Sequence, residues 1–445
     1  ENRSGLGTVT FADTGVDLAG IVTATTFSGS GASLTNVPDS ALSAVTASKL
    51  TGALPALDGS SLTGVASTDN IRTNTDATFL KGVNVSGVTT TGSVKVGGGV
   101  TISESGIEAS GIGITCANIN GQQIGGRRNM IINGAMQVAQ RGDQTGLQSG
   151  YGGCDRFRIE GNTSARVTLN QTTGTTANGF PYCQEVDVTT ASGSLAAGAY
   201  HYLGYKFEGQ DLQVLKKGTA AAESVTLSFW VSSPKTGTHV VQLYDNDNAR
   251  HITKQYTIGT ADTFEHHTIT FSGDTTGAYG NDNAYSLQIY WWLAVGTNYS
   301  SGSATDWQAF SNSDAAPGQV NLLDSTDNNF KLTGVQLEIG TQATTFENRS
   351  YGDELALCQR YYFKPHLVNN LQPAYQYHSQ YKMSVVQFPT TMRTTPTCTA
   401  SWAAGSDSDF TQHNNSQDHF KAYRLANYDD GAAYYLDDFA ANAEL

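Results

Sequence analysis

The sequence predicts a mostly β protein with three parts: a trimeric β-rich fibrous shaft, an antiparallel β-sandwich of jelly-roll type, and a small α+β domain at the C-terminal end. Three observations lead to this fold class. Charged residues make up only 14% of the 445 residues, and glycine accounts for 48, a composition typical of strands and tight turns. Many short segments alternate apolar and polar residues. Every Trp and Tyr follows residue 128.

The first 128 residues lack the large side chains that a core requires. Their only aromatic residues are Phe11, Phe27 and Phe79, and "GSGASLTNVP" at 29–38 recurs loosely as "DGSSLTGV" at 58–65. Short strands of small residues bury too little surface to fold alone. We therefore expect residues 1–128 to form a thin shaft in which two partner chains complete the core, which makes the protein a homotrimer.

Residues 129–350 contain the alternating segments of a β-sandwich, among them "VTLSFWVSS" at 225–233 and "YSLQIYWWLAV" at 285–295. Alternation puts one set of residues towards the core: Val225, Leu227, Phe229, Val231, Leu287, Ile289, Trp291, Leu293 and Val295. The opposite set includes Trp230, Tyr290 and Trp292. We expect these three on the outer sheet faces, at a subunit interface, with stacking against a glycan as the alternative.

Residues 351–445 begin with a helix signal. Ser350 stands three residues before Asp353 in "SYGDELALCQRYY", which is a capping-box pattern. Leu355, Cys358 and Tyr362 follow at helical spacing. Strand-like segments such as "YKMSVVQFP" and "AAYYLDDFA" complete a small α+β end domain.

The composition and the motifs exclude several classes of function. A net charge of −14 disfavours nucleic acid and anionic membrane surfaces as partners, and no apolar run is long enough for membrane insertion. The sequence has no nucleophile elbow, P-loop or zinc-protease motif, so we expect neither an enzyme nor a cofactor. His266 and His267 are adjacent in a strand and point to opposite faces, as do Asp437 and Asp438.

The turns "DNDN" at 245–248 and "GNDN" at 280–283 concentrate oxygen ligands. Calcium binds such oxygens, but Asx-rich turns have the same composition. We predict ordinary turns and no metal site.

Several segments resemble parts of bacteriophage tail fibres. "RNMIINGAMQVAQRG" (128–142), "YGGCDRFRI" (151–159) and "VTLSFWVSS" resemble their β-sandwich module. The segments at 335–364, 388–401 and 442–445 resemble the C-terminal parts of such fibres. The stretch "GIVTATTFSGSGASLTNVP" is similar to shaft repeats in tail fibres of marine phages.

The resemblance implies a homotrimeric virion fibre of the tail, assembled in the bacterial host cytoplasm. It implies contacts with other virion tail proteins at the N-terminal end and binding of a host cell-surface receptor, a glycan. Two alternatives stay open: a glycan-cleaving tailspike enzyme, and a capsid-attached fibre without a tail role.

Receptor contact is expected in loops of the distal half, where aromatic rings offer flat apolar faces to sugars. The candidate residues are Tyr299, Trp307, Phe310, Tyr423, Tyr428, Tyr434 and Tyr435.

Overall fold

The computed structural model describes residues 9–13, 15–18, 128–365, 382–402, 411–424 and 436–445, with a few scattered positions between 21 and 36. The chain divides into two units, Glu1–Gly106 and Ile107–Leu445. In the first unit, β1 (Val9–Ala12) and β2 (Gly15–Leu18) pair as an antiparallel hairpin. The rest of the predicted shaft lies outside the described residues, and its trimeric assembly stays a prediction. None of the described helices is long and apolar enough to cross a membrane.

Two antiparallel sheets form the predicted sandwich, which confirms the mostly β fold class. The seven-stranded sheet has the order β14 (Gln308–Ala309), β11 (Arg250–Ile258), β10 (Gly237–Asp245), β13 (Tyr285–Val295), β8 (Tyr200–Glu208), β5 (Arg158–Gly161) and β4 (Gly150–Tyr151). The six-stranded sheet has the order β12 (Glu265–Phe271), β9 (Val225–Ser232), β15 (Asn329–Ile339), β7 (Phe180–Thr190), β6 (Arg166–Thr175) and β3 (Gln144–Leu147).

The core between the sheets follows the predicted alternation. Trp291 and Phe229 are fully buried in one cluster, their rings 6.1 Å apart. The other inward residues of β9 and β13 join them as far as Leu293. Beyond that point the prediction for Val295 is wrong. A register shift between Trp292 and Ala294 puts Ala294 in the core and Val295 on the outer side, because a bulge adds one residue and reverses the alternation.

The helix α1 (Tyr351–Gln359) begins where the capping box predicts. The Ser350 hydroxyl accepts a hydrogen bond from the Asp353 main-chain N–H at 3.2 Å. The helix presents Cys358 to the core of the sandwich, and Tyr361 follows it there. Leu355 is only partly buried.

Beyond the helix, two three-stranded sheets surround a second, smaller core that contains Phe388, Met392, Phe420 and Phe439. One sheet consists of β16 (Tyr362–Phe363), β21 (Leu436–Asn442) and β18 (Thr397–Trp402). The other consists of β17 (Lys382–Gln387), β20 (His419–Arg424) and β19 (Thr411–Asn415). The domain boundaries at residues 128 and 350 remain predictions.

Candidate functional site

The outer face of the seven-stranded sheet carries three rows of side chains that run across the strands. They occupy the positions that alternate with the core residues, and the strand register aligns them. The first row consists of Glu160, Tyr202 and Trp292. The second consists of Arg158, Gly204, Tyr290, Gln242 and Thr253. The third consists of Lys206, Gln288, Tyr244, His251 and Gln308.

Six aromatic rings on this face form a continuous chain of contacts, which we call the aromatic strip. Its members, in order, are Tyr299, Tyr200, Tyr202, Tyr290, Tyr244 and Phe310. Successive ring centroids lie 5.8, 6.1, 4.2, 6.0 and 5.1 Å apart. Such separations are those of interacting aromatic pairs, so the rings support one another's positions.

The strip is only partly covered by protein. Phe310 is 39% exposed, and Tyr200, Tyr244, Tyr290 and Tyr299 are half-buried. Large aromatic side chains left at the surface in one group mark a contact site more often than singly scattered ones do.

Trp292 stands on this face, as its position predicts, but other residues of the same chain cover it. It is 3% exposed and packs with Val240, Ala315 and Ala316. The physical reason is that the segment after β13 folds back over this end of the sheet. The Val240 N–H donates to Gln319 Oε1 at 2.8 Å and so holds the segment in place.

Polar side chains lie beneath and beside the strip. Gln242 Oε1 accepts a hydrogen bond from Trp292 Nε1 at 3.1 Å, and Gln242 Nε2 lies 2.7 Å from His251 Nδ1. At the β5 edge, Arg158 Nη1 lies 3.4 Å from Glu160 Oε2. The face therefore combines flat apolar surfaces with amide and charged groups, the usual composition of a ligand site.

Burial sets the protonation of two tyrosines of the strip and of His251 beside it. It raises the pKa of Tyr290 well above its ordinary value, and the neighbouring tyrosines add to the shift. Burial, followed by the carboxylate of Glu160, raises the pKa of Tyr202. Burial also lowers the pKa of His251. At neutral pH the phenols of Tyr202 and Tyr290 are therefore protonated and the His251 imidazole is neutral, which suits hydrogen bonding to hydroxyl groups.

The structure brings some of the predicted receptor-binding residues together and separates others. Tyr299 and Phe310 form the two ends of the strip. Trp307 lies elsewhere, where its Nε1 donates to the Ser272 carbonyl at 2.7 Å and its ring packs against the main core. Tyr423 lies in β20, paired with Met383 and Thr411. The remaining candidates, Tyr428, Tyr434 and Tyr435, fall outside the described residues.

The three predicted interface residues also separate. Tyr290 and Trp292 belong to the seven-stranded sheet, whereas Trp230 lies on the outer face of the six-stranded sheet. There its ring centroid is 5.0 Å from that of His266. His267 faces the opposite way, towards Phe229 and Tyr256. No contact among the described residues tests the interface itself.

Sequence reasoning missed Tyr200, Tyr202, Tyr244 and Arg158. A signal was available for the first two, because "YHYLGYKF" at 200–207 alternates apolar core residues with Tyr200, Tyr202 and Lys206. That Tyr244 and Arg158 lie on the same face follows only from the strand order.

The Asp/Asn-rich segment 245–248 forms an Asx turn, as predicted. Asp245 Oδ1 accepts the main-chain N–H groups of Asp247 and Asn248 at 3.0 and 3.2 Å. The Lys217 ammonium lies 2.7 Å from Asp245 Oδ2 and supplies the positive charge at this turn. In the described part of the chain, no three His, Cys, Asp or Glu residues are grouped as metal ligands.

Comparison with known proteins gives weak similarities only. No protein-family model and no curated protein matches the chain. Among solved structures, the enzymatically active domain of tailspike protein 4 of bacteriophage CBA120 is similar at 12% identity and a TM-score of 0.27, over 47% of this chain and 21% of that one. The chain thus spans about a fifth of that protein's length.

Two carbohydrate-binding modules are similar at the same level. The family 11 module of a cellulosomal cellulase from Clostridium thermocellum has 12% identity and a TM-score of 0.24, over 45% of this chain and 97% of that one. TmCBM61, solved with β-1,4-galactotriose, has 10% identity and a TM-score of 0.25, over 48% and 99%. Similarities of this size carry no information about ligand or activity.

Proposed function

We propose that the protein is a non-catalytic glycan-binding adhesin whose site is the aromatic strip. The observation that carries the proposal is the unbroken series of six half-exposed or buried rings on one sheet face. Sugar rings have apolar C–H faces and hydroxyl edges. Aromatic rings stack against the C–H faces, and phenol and amide groups form hydrogen bonds with the hydroxyl groups at the edges.

The strip also suits a ligand in energetic terms. Its rings are already held by contacts with one another and with Trp292, so binding a sugar immobilises few further side chains. Preorganised aromatic residues at the centre of a site contribute most of its binding free energy.

We further propose that this adhesin is a homotrimeric tail fibre of a bacteriophage virion. Its N-terminal end would join other tail proteins, and its distal part would bind a glycan on the host surface. The fibre-like segments of the sequence and the small-residue repeats of 1–128 support this. Trp230 is the candidate for a subunit interface, whereas for Tyr290 we favour the glycan role.

Light scattering on the purified protein tests the assembly, with a mass about three times the 47.2 kDa of one chain expected. A mass of one chain contradicts the trimer. Antibody labelling of intact virions, read by electron microscopy, separates a tail fibre from a capsid-attached fibre.

The arrangement of carboxylates on this sheet face favours a protein that binds a glycan without cleaving it. Glycoside hydrolysis requires two carboxyl groups that flank the scissile bond. Within the three rows the carboxylate is that of Glu160 on β5, with Arg158 beside it. Asp314 accepts from Gln308 Nε2 at 2.8 Å at the opposite side of the sheet, so these two carboxylates do not flank one bond. Incubation with host polysaccharide should therefore release no new reducing ends.

The site is tested by Tyr244→Ala and Phe310→Ala, with binding measured on host cells and on a glycan array. Each variant should bind about tenfold or more weakly, the factor that about 1.4 kcal/mol represents. Tyr182→Ala is the matched control, because Tyr182 is 45% exposed and lies in β7 of the other sheet. Equal losses in all three variants, or no loss in the first two, would refute the site.

A further inference from the structure

Three hydrogen-bond donors lie in adjacent rows of the outer face, on strands β5, β8 and β13, next to the aromatic strip. Arg158 shares a row with Gly204 and Tyr290, and Lys206 and Gln288 pair in the adjacent row. Gly204 has no side chain, and the side chains of Gln288 and Tyr202 occupy the space beside its Cα. Gln288 Nε2 lies 2.6 Å from the point where a Cβ on Gly204 would stand. The amide nitrogen therefore leans towards the row of Arg158.

These donors are poorly used by the protein itself. Gln288 is 2% exposed, yet its amide forms no hydrogen bond with any described residue. Arg158 is 28% exposed, and its Nε is buried without a partner in the described part of the chain. Arg158 Nε is thus a buried donor without an acceptor, which is costly, and such a group in a site points to an acceptor on the ligand.

Lys206 adds a third donor on the same side. Its Nζ donates to the main-chain oxygen of Leu445 at 3.2 Å and lies 4.4 Å from the centre of the Tyr285 ring. An ammonium carries three donors, so two remain for a ligand. Arginine and lysine donate only, and neither accepts.

We propose that the glycan bound by the strip is acidic, and that its anionic group, a carboxylate or a sulfate ester, binds to Arg158, Lys206 and the Gln288 amide. This inference rests on the proposed glycan-binding function. A planar guanidinium pairs with two oxygens of such a group. The Tyr290 ring, opposite Gly204 in the same row, supports the sugar that carries it.

The charges around the donors agree with this assignment. Among the charged side chains of the three rows, Arg158 and Lys206 are positive and Glu160 is negative, which leaves one positive charge. The chain as a whole carries −14. A local positive site on a negative protein selects an anion by contact and does not attract polyanions in general.

The test uses an array on which uronic-acid and sulfated oligosaccharides are printed beside their carboxyl-reduced and desulfated forms. The intact chain should bind an acidic form roughly tenfold or more tightly than its neutral counterpart. Arg158→Gln and Lys206→Gln should each lower the ratio of the affinities for the acidic and neutral forms towards one. Lys331→Gln in β15 is the charge-matched control, since it lies in the other sheet and pairs with Glu185. If binding is lost only on the carboxyl-reduced forms, the anionic group is a carboxylate. If binding is lost only on the desulfated forms, it is a sulfate.

Two outcomes separate this inference from the proposed function. If neutral forms bind as tightly as acidic ones and Tyr244→Ala abolishes both, the strip binds glycan and the acidic assignment is wrong. If no glycan on the array or on host cells binds, both proposals fail.

Discussion

Removal of the buried charge of Lys217 should strongly destabilise the sandwich. Its Nζ lies 2.7 Å from Asp245 Oδ2 and 3.1 Å from Asp274 Oδ2, and it donates to the carbonyl groups of Thr276 and Gly277 at 2.7 and 2.8 Å. The side chain is 4% exposed, and those of the two aspartates are 0% and 3% exposed. One ammonium therefore serves four oxygens in a place that water barely reaches.

Lys217→Met keeps the apolar stem and removes the charge. Arg250 still pairs with Asp274 at 2.7 Å, but Asp245 is left as a buried carboxylate without a cation. Removing one partner of a buried ion pair costs about 3–5 kcal/mol. For a domain of this size that corresponds to a fall in Tm of roughly 10 °C.

The assay is thermal or urea unfolding followed by circular dichroism, with Lys216→Met as the matched control. Lys216 is the preceding residue, is 54% exposed and pairs with Glu223 at the surface, so its loss should cost less than about 1 kcal/mol. Equal stability of the two variants would show that the buried network does not hold the sandwich together.

Three further predictions concern the folded chain. Trp292→Ala should lower the free energy of unfolding in urea by about 3 kcal/mol, because the ring is buried and bonded to Gln242. An unfolding curve like that of wild type would show that the packing of this ring does not stabilise the fold. Burial raises the pKa of Asp155 from 3.8 to about 6. The folded state then holds more protons than the unfolded one between pH 3.8 and about 6, so this group lowers stability as pH rises, by up to about 3 kcal/mol. Asp155→Asn should remove that slope, and an unchanged slope would contradict the shift. Glu444→Gln should lower the free energy of unfolding by about 3 kcal/mol, because it leaves the buried Arg156 without its carboxylate partner. An unfolding curve that matches wild type would show that this ion pair does not stabilise the fold.

Local patterns in the sequence predicted the strands and the helix start well. Alternation identified the core residues of β9 and β13 because each sheet buries one face, and a period of two is then imposed on the sequence. The capping box located the helix because Ser350 and Asp353 satisfy each other over three residues. Both signals are short-range and depend on no other part of the chain.

Features that depend on distant segments were not predictable in this way. The bulge after Trp292 reverses the alternation at Val295 without any mark in the sequence. The cover over Trp292 comes from residues 315 and 316, more than twenty positions away. The aromatic strip joins rings from β8, β10 and β13, so only the strand order brings Tyr202, Tyr290 and Tyr244 together.

A crystal structure with the tightest-binding array oligosaccharide would show whether the aromatic strip binds glycan. We expect sugar rings stacked on Tyr290 and Tyr244, between Tyr200 and Phe310, with hydroxyl groups bonded to the phenols. An oligosaccharide found on the six-stranded sheet beside Trp230, or on the C-terminal domain, with none on the strip, would show that the strip is not the glycan site.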